Sequence, residues 1–336
     1  MKHLFLSIFI TVGIVFIFFT QTSVKNLYSL LKSTDLSWAL LGSTGYFLAT
    51  LFRALRYKWL IHSKNVPLLQ LFRISALYNL SIMVLPSKLG ELSYPYLLNK
   101  ITGMSMTEGL ASLIASRVYD FFIILIIFLF SAIGFQTFFK IDLIFIILLC
   151  GILMGLILLF FFHLNSFLNW FSNLLGKAAN WNALKNWKSL QWAQRKIHVM
   201  AEDFYAIKAR RTYFQVSLVS LFSWIMVFWT FYAFLRGFGI DISFRNVVFG
   251  SVLALITSAL PISGLGNWGM LEVGWTAGFL MVGLSKEEAI ASGFGVHIMV
   301  FAVCIIIGFI CWITLNNEAP PSLEQTQVRE GLTIER

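Results

Sequence analysis

Charge is scarce in this sequence. Of its 336 residues only 12% are Asp, Glu, Lys or Arg, and acidic residues are rarer than basic ones, 15 against 25. An ordinary soluble domain carries about 25% charged residues, so a soluble globule is excluded. Cysteine occurs only 3 times. Cys150, Cys304 and Cys311 all fall inside apolar runs, which points to packing rather than to a disulfide framework or a Cys-x-x-Cys metal site. The sequence also lacks a Gly-x-x-x-x-Gly-Lys-Ser/Thr phosphate loop, a His-Glu-x-x-His pair and a Gly-x-Ser-x-Gly nucleophile elbow. His3, His62, His163, His198 and His297 are scattered along the chain and form no recognisable metal set. No catalytic residue, metal or cofactor is therefore expected, and any transport is passive or coupled to protons or membrane potential.

Apolar residues are abundant, at 58% of the chain. Uncharged stretches at 4–24, 121–139, 212–235 and 289–317 each reach the roughly 18–20 residues needed to cross hydrocarbon. The expected fold is an all-α polytopic membrane protein, with spanning helices near 4–24, 36–61, 105–135, 141–163, 212–236 and 287–315. The first run is followed by Gln21-Thr22-Ser23-Val24-Lys25, without an Ala-x-Ala-like site, and reads as an uncleaved membrane helix rather than a signal peptide.

The net charge of +10 must be read by position, because Lys and Arg collect in cytoplasmic loops. Nucleic acid is not implied. With a cytoplasmic N-terminus, segments 52–74 and 164–211 lie inside with most of the Lys and Arg, whereas 25–35 and 136–142 outside hold only Lys25, Lys32 and Lys140. The polar tail then also lies inside, and the expected location is the cytoplasmic (inner) membrane of a bacterium. Segment 164–211 carries Phe167, Trp170, Phe171, Leu174 and Leu175 at helical spacing, with Trp181, Trp187 and Trp192 among lysines. Such a basic, Trp-rich amphipathic stretch suits the headgroup plane.

Laid on itself with an offset of about 180 residues, the chain repeats. Ile101-Thr-Gly-Met-Ser-Met-Thr-Glu-Gly-Leu-Ala-Ser112 matches Met281-Val-Gly-Leu-Ser-Lys-Glu-Glu-Ala-Ile-Ala-Ser292. Upstream of each copy sits a broken segment, Leu85-Pro-Ser-Lys-Leu-Gly-Glu91 in one half and Leu260-Pro-Ile-Ser-Gly-Leu-Gly-Asn-Trp-Gly-Met-Leu-Glu272 in the other. Each half is helix, broken hairpin, helix. Three full crossings separate the helix at 36–61 from its counterpart at 212–236, and an odd number inverts the second copy. Inverted repeats with discontinuous helices are a transporter pattern; a duplicated bundle without transport is the plainer alternative. The expected organisation is a first helix and outer loop (1–35), a first repeat (36–163) with hairpin 67–100, a linker (164–211), a second repeat (212–315) with hairpin 246–284, and a polar tail (316–336).

Pro86 and Pro261 mark two re-entrant hairpins, because non-helical backbone at membrane depth must be buried in protein or line a wet cavity. Gly264 and Gly266, with Asn267 beside them, let the second turn expose backbone N–H groups to an anion; close helix packing explains the glycines equally well. Ser105 with Glu108, and Ser285 with Glu288, read as capping boxes. Twelve residues beyond each cap, about 18 Å along the axis, stand Arg117 and His297. Arg117 and Asp120, spaced i and i+3, can pair. Ionisable groups at this depth are costly and usually face a cavity or a partner. Two readings of Glu91, Glu272, Arg117 and His297 stand. In one, Arg53, Arg56, Lys88 and Arg117 hold a phosphate in a polar cavity while a carboxylate takes up a proton or balances charge; in the other, these groups form internal salt bridges such as Glu91 with Arg53 or Lys88.

Together, Arg53-Ala-Leu-Arg-Tyr-Lys58, Leu85-Pro-Ser-Lys-Leu-Gly-Glu91, Ser116-Arg-Val-Tyr-Asp120 and Pro261-Ile-Ser-Gly-Leu-Gly with Glu272 resemble the lysylphosphatidylglycerol synthase transmembrane-region family, over about residues 5 to 315. The resemblance implies a flippase-like integral membrane protein. Members look like lipid translocators, some fused to an aminoacyl-phosphatidylglycerol synthase domain, others stand-alone and linked with polyprenyl-phosphate-linked sugars. Only about twenty polar residues follow the last expected helix here, so the translocation half alone is implied. Asn267-Trp268 between Gly266 and Gly269 departs from the family pattern. The expected activity is movement of an anionic phospholipid or a polyprenyl-phosphate-linked precursor, with membrane lipids and a separate lipid-modifying enzyme as partners. The alternatives are a membrane-embedded lipid-modifying transferase with Glu91 or Asp120 as base, or an accessory subunit of one.

Overall fold

The computed structural model describes residues 24–85, 87–133, 143–179, 188–259 and 268–316, the side chains of Val24, Lys25, Ser87, Lys88, Leu143, Ala179, Ala259 and Asn316 excepted. The expected first span, Pro86, and the turn containing Pro261, Gly264, Gly266 and Asn267 lie outside these residues. The described elements are α1 (Val24–Lys32), α2 (Leu36–Leu60), α3 (Leu68–Val84), a 3-10 turn (Ser87–Leu92), α4 (Ser93–Thr102), α5 (Met106–Ala132), α6 (Leu143–Ala179), α7 (Lys188–Ala209), α8 (Tyr213–Gly237), α9 (Phe244–Ala259), α10 (Met270–Met281) and α11 (Lys286–Asn316). No strand occurs among the described residues. Four helical stretches, Met106–Ala132, Ile144–Ala178, Tyr213–Gly237 and Lys286–Leu315, are long and apolar enough to cross a membrane. The protein is an all-α, multi-pass membrane protein.

Helix α2 is 25 residues long, but Arg53, Arg56 and Lys58 near its end keep it out of that apolar set. Its buried face runs from Gly42 to Leu60 and packs on neighbouring helices. Small residues at Gly42, Gly45 and Ala49 repeat every three or four positions and let α8 approach closely. A Cβ at Gly45 would stand 2.8 Å from Thr230 Oγ1 and from Trp229. The pairings run in reverse order: Asp35 N donates to the Gly237 carbonyl (2.9 Å), Gly42 sits on the Phe234 ring, Ser223 Oγ donates to the Ala49 carbonyl (3.2 Å), and Thr212 Oγ1 to that of Trp59 (3.4 Å). The two helices matched by sequence position are therefore antiparallel.

Both hairpins form. Helix α3 ends where Pro86 disfavours a helical conformation in the residue before it, and Leu85 is extended with φ −80 and ψ 144. Helix α10 begins at Gly269, held at φ 96, whose N–H is capped by the Glu272 carboxylate at 2.7 Å. Helices α9 and α10 lie backbone to backbone through Gly250, Gly274 and Gly278; a Cβ at Gly278 would overlap the Gly250 carbonyl. Gly278→Ala is accordingly expected to cost about 1–3 kcal/mol, the usual penalty for overpacking. Gly155→Ala on α6, where nothing lies within 4 Å of the added carbon, is the matched control. Thermal midpoints of the two purified variants compare them directly, and equal midpoints would refute the close approach.

Local details recur between the halves. Gly103 and Gly283 both take positive φ, 66 and 97, ahead of a serine that starts a long helix. Ser105 Oγ accepts from Glu108 N at 3.1 Å and Ser285 Oγ from Glu288 N at 3.3 Å. Tyr94 Oη meets Ser112 Oγ at 3.4 Å, and Trp275 Nε1 donates to Ser292 Oγ at 3.2 Å. The hairpins are exchanged across the molecule: α11 packs on α3, with Gly308 against Leu80, and α5 packs on α9, with Phe128 stacked on Phe249.

Two expectations are modified. Glu288 completes its capping box by accepting from Ser285 N at 3.1 Å. Glu108 instead accepts from the backbone N–H groups of His62 (2.7 Å) and Ser63 (2.9 Å), because the chain leaving α2 presents two free donors there. The helix expected at 141–163 continues to Ala179, since no breaker interrupts it, and α7 folds back along its second half: Ser172 Oγ donates to the Gln194 carbonyl (3.2 Å) and Lys208 Nζ to Asn165 Oδ1 (2.7 Å). Helix α7 also docks on the start of α5 through fully buried Ala201 and Phe204. There His62 lies 3.2 Å from Glu108 and 3.5 Å from Asp203, and burial pushes the Asp203 carboxyl above the usual carboxylate range.

Candidate functional site: a cationic cavity between the halves

Helical spacing already puts Arg53 and Arg56 on one face of α2, and Arg117 and Asp120 on one face of α5. Packing α2 between α5, α3 and α8 turns these faces toward each other, around a cavity of about 480 Å³. Both halves line it. The first contributes Arg53, Arg56, Glu91, Arg117 and Asp120, and the second contributes Trp224, Phe231, Leu271 and His297.

The strongest contact is between Arg56 and Asp120. Arg56 Nη1 and Nη2 lie 2.5 and 3.4 Å from the two carboxylate oxygens, and only 3% and 9% of the two side chains is exposed. Trp224 Nε1 donates to the same carboxylate at 2.9 Å, and Ser220 Oγ accepts from Arg56 at 3.4 Å. Taking charges out of water is repaid only when the remaining lone pairs and protons are also matched, and here indole and hydroxyl groups do much of that.

Arg117 is the hub of the cavity. Its Nη2 donates to Tyr78 Oη at 2.6 Å and lies 3.5 Å from Glu91, while Nη1 lies 3.4 Å from Asp120. The expected i,i+3 pair therefore exists, but Arg56 holds Asp120 more closely. Glu91 meets Arg117 rather than Arg53. Arg53 Nη1 donates to Asn79 Oδ1 at 3.2 Å, and Asn79 Nδ2 to Thr50 Oγ1 at 3.2 Å. Among the described residues no carboxylate lies within ion-pair distance of Arg53.

In the second half the matching positions pair as well. His297 Nδ1 is 2.5 Å from Glu272 Oε1, both side chains are essentially unexposed, and Trp268 stacks on the imidazole at 4.2 Å. Glu91 meets Arg117 and Glu272 meets His297, the pairs that the sequence repeat sets side by side. Glu272 sits directly behind the cavity wall that His297 forms.

Of the residues expected from sequence, Arg53, Arg56, Glu91, Arg117, Asp120 and His297 meet at this cavity, with Glu272 one contact behind. Ser105, Glu108, Ser285 and Glu288 stand at helix starts, outside its lining. The Lys88 side chain, Gly264, Gly266 and Asn267 lie outside the described residues. Tyr78 and Asn79 were not anticipated; they form the adjacent polar pair of α3, whose other polar residues, Gln70, Arg73, Ser75 and Ser81, stand singly. Trp224 had no signal, since a tryptophan in an apolar span carries no hint of its acceptor.

Three guanidinium groups and two carboxylates line the cavity, a surplus of one positive charge before His297 is counted. Phe121, Ile124, Val227, Leu255 and Val300 supply apolar wall. The combination suits a ligand with an anionic head and a hydrocarbon body. No group of three or more His, Cys, Asp or Glu side chains among the described residues is arranged to hold a metal ion.

A family described as Lysylphosphatidylglycerol synthase TM region matches residues 4–308. The chain belongs to that family. No curated protein matches it.

Proposed function

Starting from that membership, we propose that the protein moves an anionic phospholipid or a polyprenyl-phosphate-linked precursor between membrane leaflets, without chemical change to the lipid. The observation that carries this reading is the cavity with its unbalanced guanidinium, bounded by residues of both halves. The anionic head rests against Arg53, with Arg117 beside it, and the hydrocarbon lies along the Phe121 and Phe231 side. Charge-assisted contacts to a phosphate are about twice as strong as neutral ones and tolerate different head structures.

The antiparallel α2 and α8, and the crossed packing of each hairpin on the other half's last helix, support reading the halves as an inverted repeat. In such proteins one repeat rocks against the other about a fixed site and opens it to either side in turn. The positions of Lys and Arg support a cytoplasmic-membrane protein with both termini in the cytoplasm. A separate lipid-modifying enzyme supplying the cargo is part of this reading.

Purified protein in vesicles bearing fluorescent phosphatidylglycerol, phosphatidylcholine or a polyprenyl phosphate tests it. Dithionite, which bleaches only the outer leaflet, is expected to bleach beyond the half-maximal limit in a protein-dependent way for the anionic lipids, with the lipids unmodified by mass spectrometry. No protein-dependent movement across the panel overturns transport, and a chemically altered lipid favours a transferase.

A further inference from the structure

The Glu272–His297 pair has a property that lipid binding alone does not use. Glu272 accepts the Gly269 N–H at Oε2 and His297 Nδ1 at Oε1. With Glu272 as the ionised acceptor, its partner nitrogen carries the proton. That leaves Nε2 as the variable position. Nε2 is buried and has no hydrogen-bond partner among the described residues, and the residue lines the cavity. A buried polar nitrogen without a partner is costly.

We infer that His297 Nε2 is a proton-binding site linked to occupation of the cavity by a phosphate-type anion. The inference rests on the anion-binding reading of the cavity and specifies its proton coupling. With the cavity empty of anion, Arg53 and Arg117 oppose a second positive charge nearby. An anion offsets them, so Nε2 gains a proton from solvent and becomes a donor on a residue of the cavity wall. Trp268, stacked at 4.2 Å, favours the imidazolium through its ring face, and Glu272 neutralises it from behind. Other titratable groups line the same cavity from several elements. Across the cavity stand Glu91, Arg117 and Asp120; α2 presents Tyr46, Arg53 and Arg56, and α3 presents Tyr78. The lining faces of α8 and α9 are without titratable groups, and α1 meets α11 through Leu27 and Leu31. By reciprocity, anion binding must strengthen proton binding by the factor by which the proton strengthens anion binding.

The test uses full-length protein with 15N-labelled histidine in phosphatidylcholine nanodiscs, titrated from pH 5 to 9. One arm adds inorganic phosphate and another replaces part of the lipid with phosphatidylglycerol. The signal lost in His297→Gln identifies the residue; if that variant does not fold, a chain in which His3, His62, His163 and His198 are all replaced by Gln leaves His297 alone. Exposed His198 reports the general effect of surface charge. The expected result is Nδ1 protonated throughout, Nε2 titrating, and proton affinity at Nε2 raised at least about fivefold by anion beyond any change at His198, the low end for linked sites. Response to phosphatidylglycerol alone assigns the anion to a lipid headgroup, and response to both includes free phosphate. An Nε2 that does not titrate, or titrates identically with and without anion, overturns the inference. Linkage without lipid movement in vesicles overturns the transport reading alone, whereas movement without linkage overturns this one alone.

Discussion

Asp120→Ala lowers the unfolding free energy by about 3–5 kcal/mol, the usual result of stranding one partner of a buried ion pair. Three donors lose their acceptor at once. Arg56 keeps a guanidinium with 3% exposure and no carboxylate, the Trp224 indole N–H loses its 2.9 Å contact, and Arg117 retains only Glu91 and Tyr78. The buried Arg56 charge dominates, because Asp120 is the one carboxylate within ion-pair distance of it among the described residues. The pair is not expected to be worth the same amount in net stability. Replacing both ends together, Arg56→Met with Asp120→Leu, removes the cost of desolvating the charges and is expected to recover most of the loss. Equilibrium unfolding in mixed micelles, followed by tryptophan fluorescence, measures all four corners of this cycle. An Asp120→Ala protein within about 1 kcal/mol of the parent sinks the assignment.

Arg53→Gln behaves in the opposite way, with a small effect on folding and a large one on transport. Its one described side-chain contact is a 3.2 Å hydrogen bond to Asn79, and glutamine can keep a neutral version of it. What is lost is the surplus positive charge. A hydrogen bond to a charged group contributes about 1.5–3 kcal/mol, so the rate for anionic lipid is expected to fall about 10- to 100-fold, at 1.4 kcal/mol per factor of ten. Movement of any zwitterionic lipid falls less. Arg53→Lys keeps the charge without the planar fork and is expected to lie between the two. The vesicle assay read beside the unfolding midpoint separates the effects, and an Arg53→Gln protein that moves anionic lipid at the parent rate refutes a headgroup contact here.

Each prediction turns on an arginine of α2, Arg56 in the first and Arg53 in the second, and nothing in the sequence distinguishes these two from each other. Arg53 and Arg56 are three positions apart on the same helix, and each is a basic residue near the end of an apolar run. Arg56 is buried against Asp120, 64 positions away, whereas Arg53 faces the cavity beside Asn79. Which of the two is structural depends on the rotation of α2 against α5 and α8, set by Gly42, Gly45 and Ala49 against a helix more than 170 residues later in the chain. The same holds at Glu108. Its Ser-x-x-Glu spacing announces a helix start, and the helix starts there, but the carboxylate is taken by two N–H groups at the end of α2.

Element type and order were legible from sequence because they arise from local chemistry. Long uncharged runs must be helices in hydrocarbon, where every backbone group needs an internal partner. Pro86 ends a helix by steric clash, Gly103 and Gly283 allow the left-handed turn, and Ser105 and Ser285 cap the long helices that begin after them. The equivalence of Arg117 with His297, and of Glu91 with Glu272, could also be read from the repeat. Their pairing could not, nor could the partner of Asp120, the contact between Arg53 and Asn79, or the bare Nε2 of His297. Periodicity states which face of a helix a residue occupies; only the close packing of one helix on another decides which faces meet, and at this low density of charge each such meeting determines whether an ionisable group is neutralised or left to face the cavity.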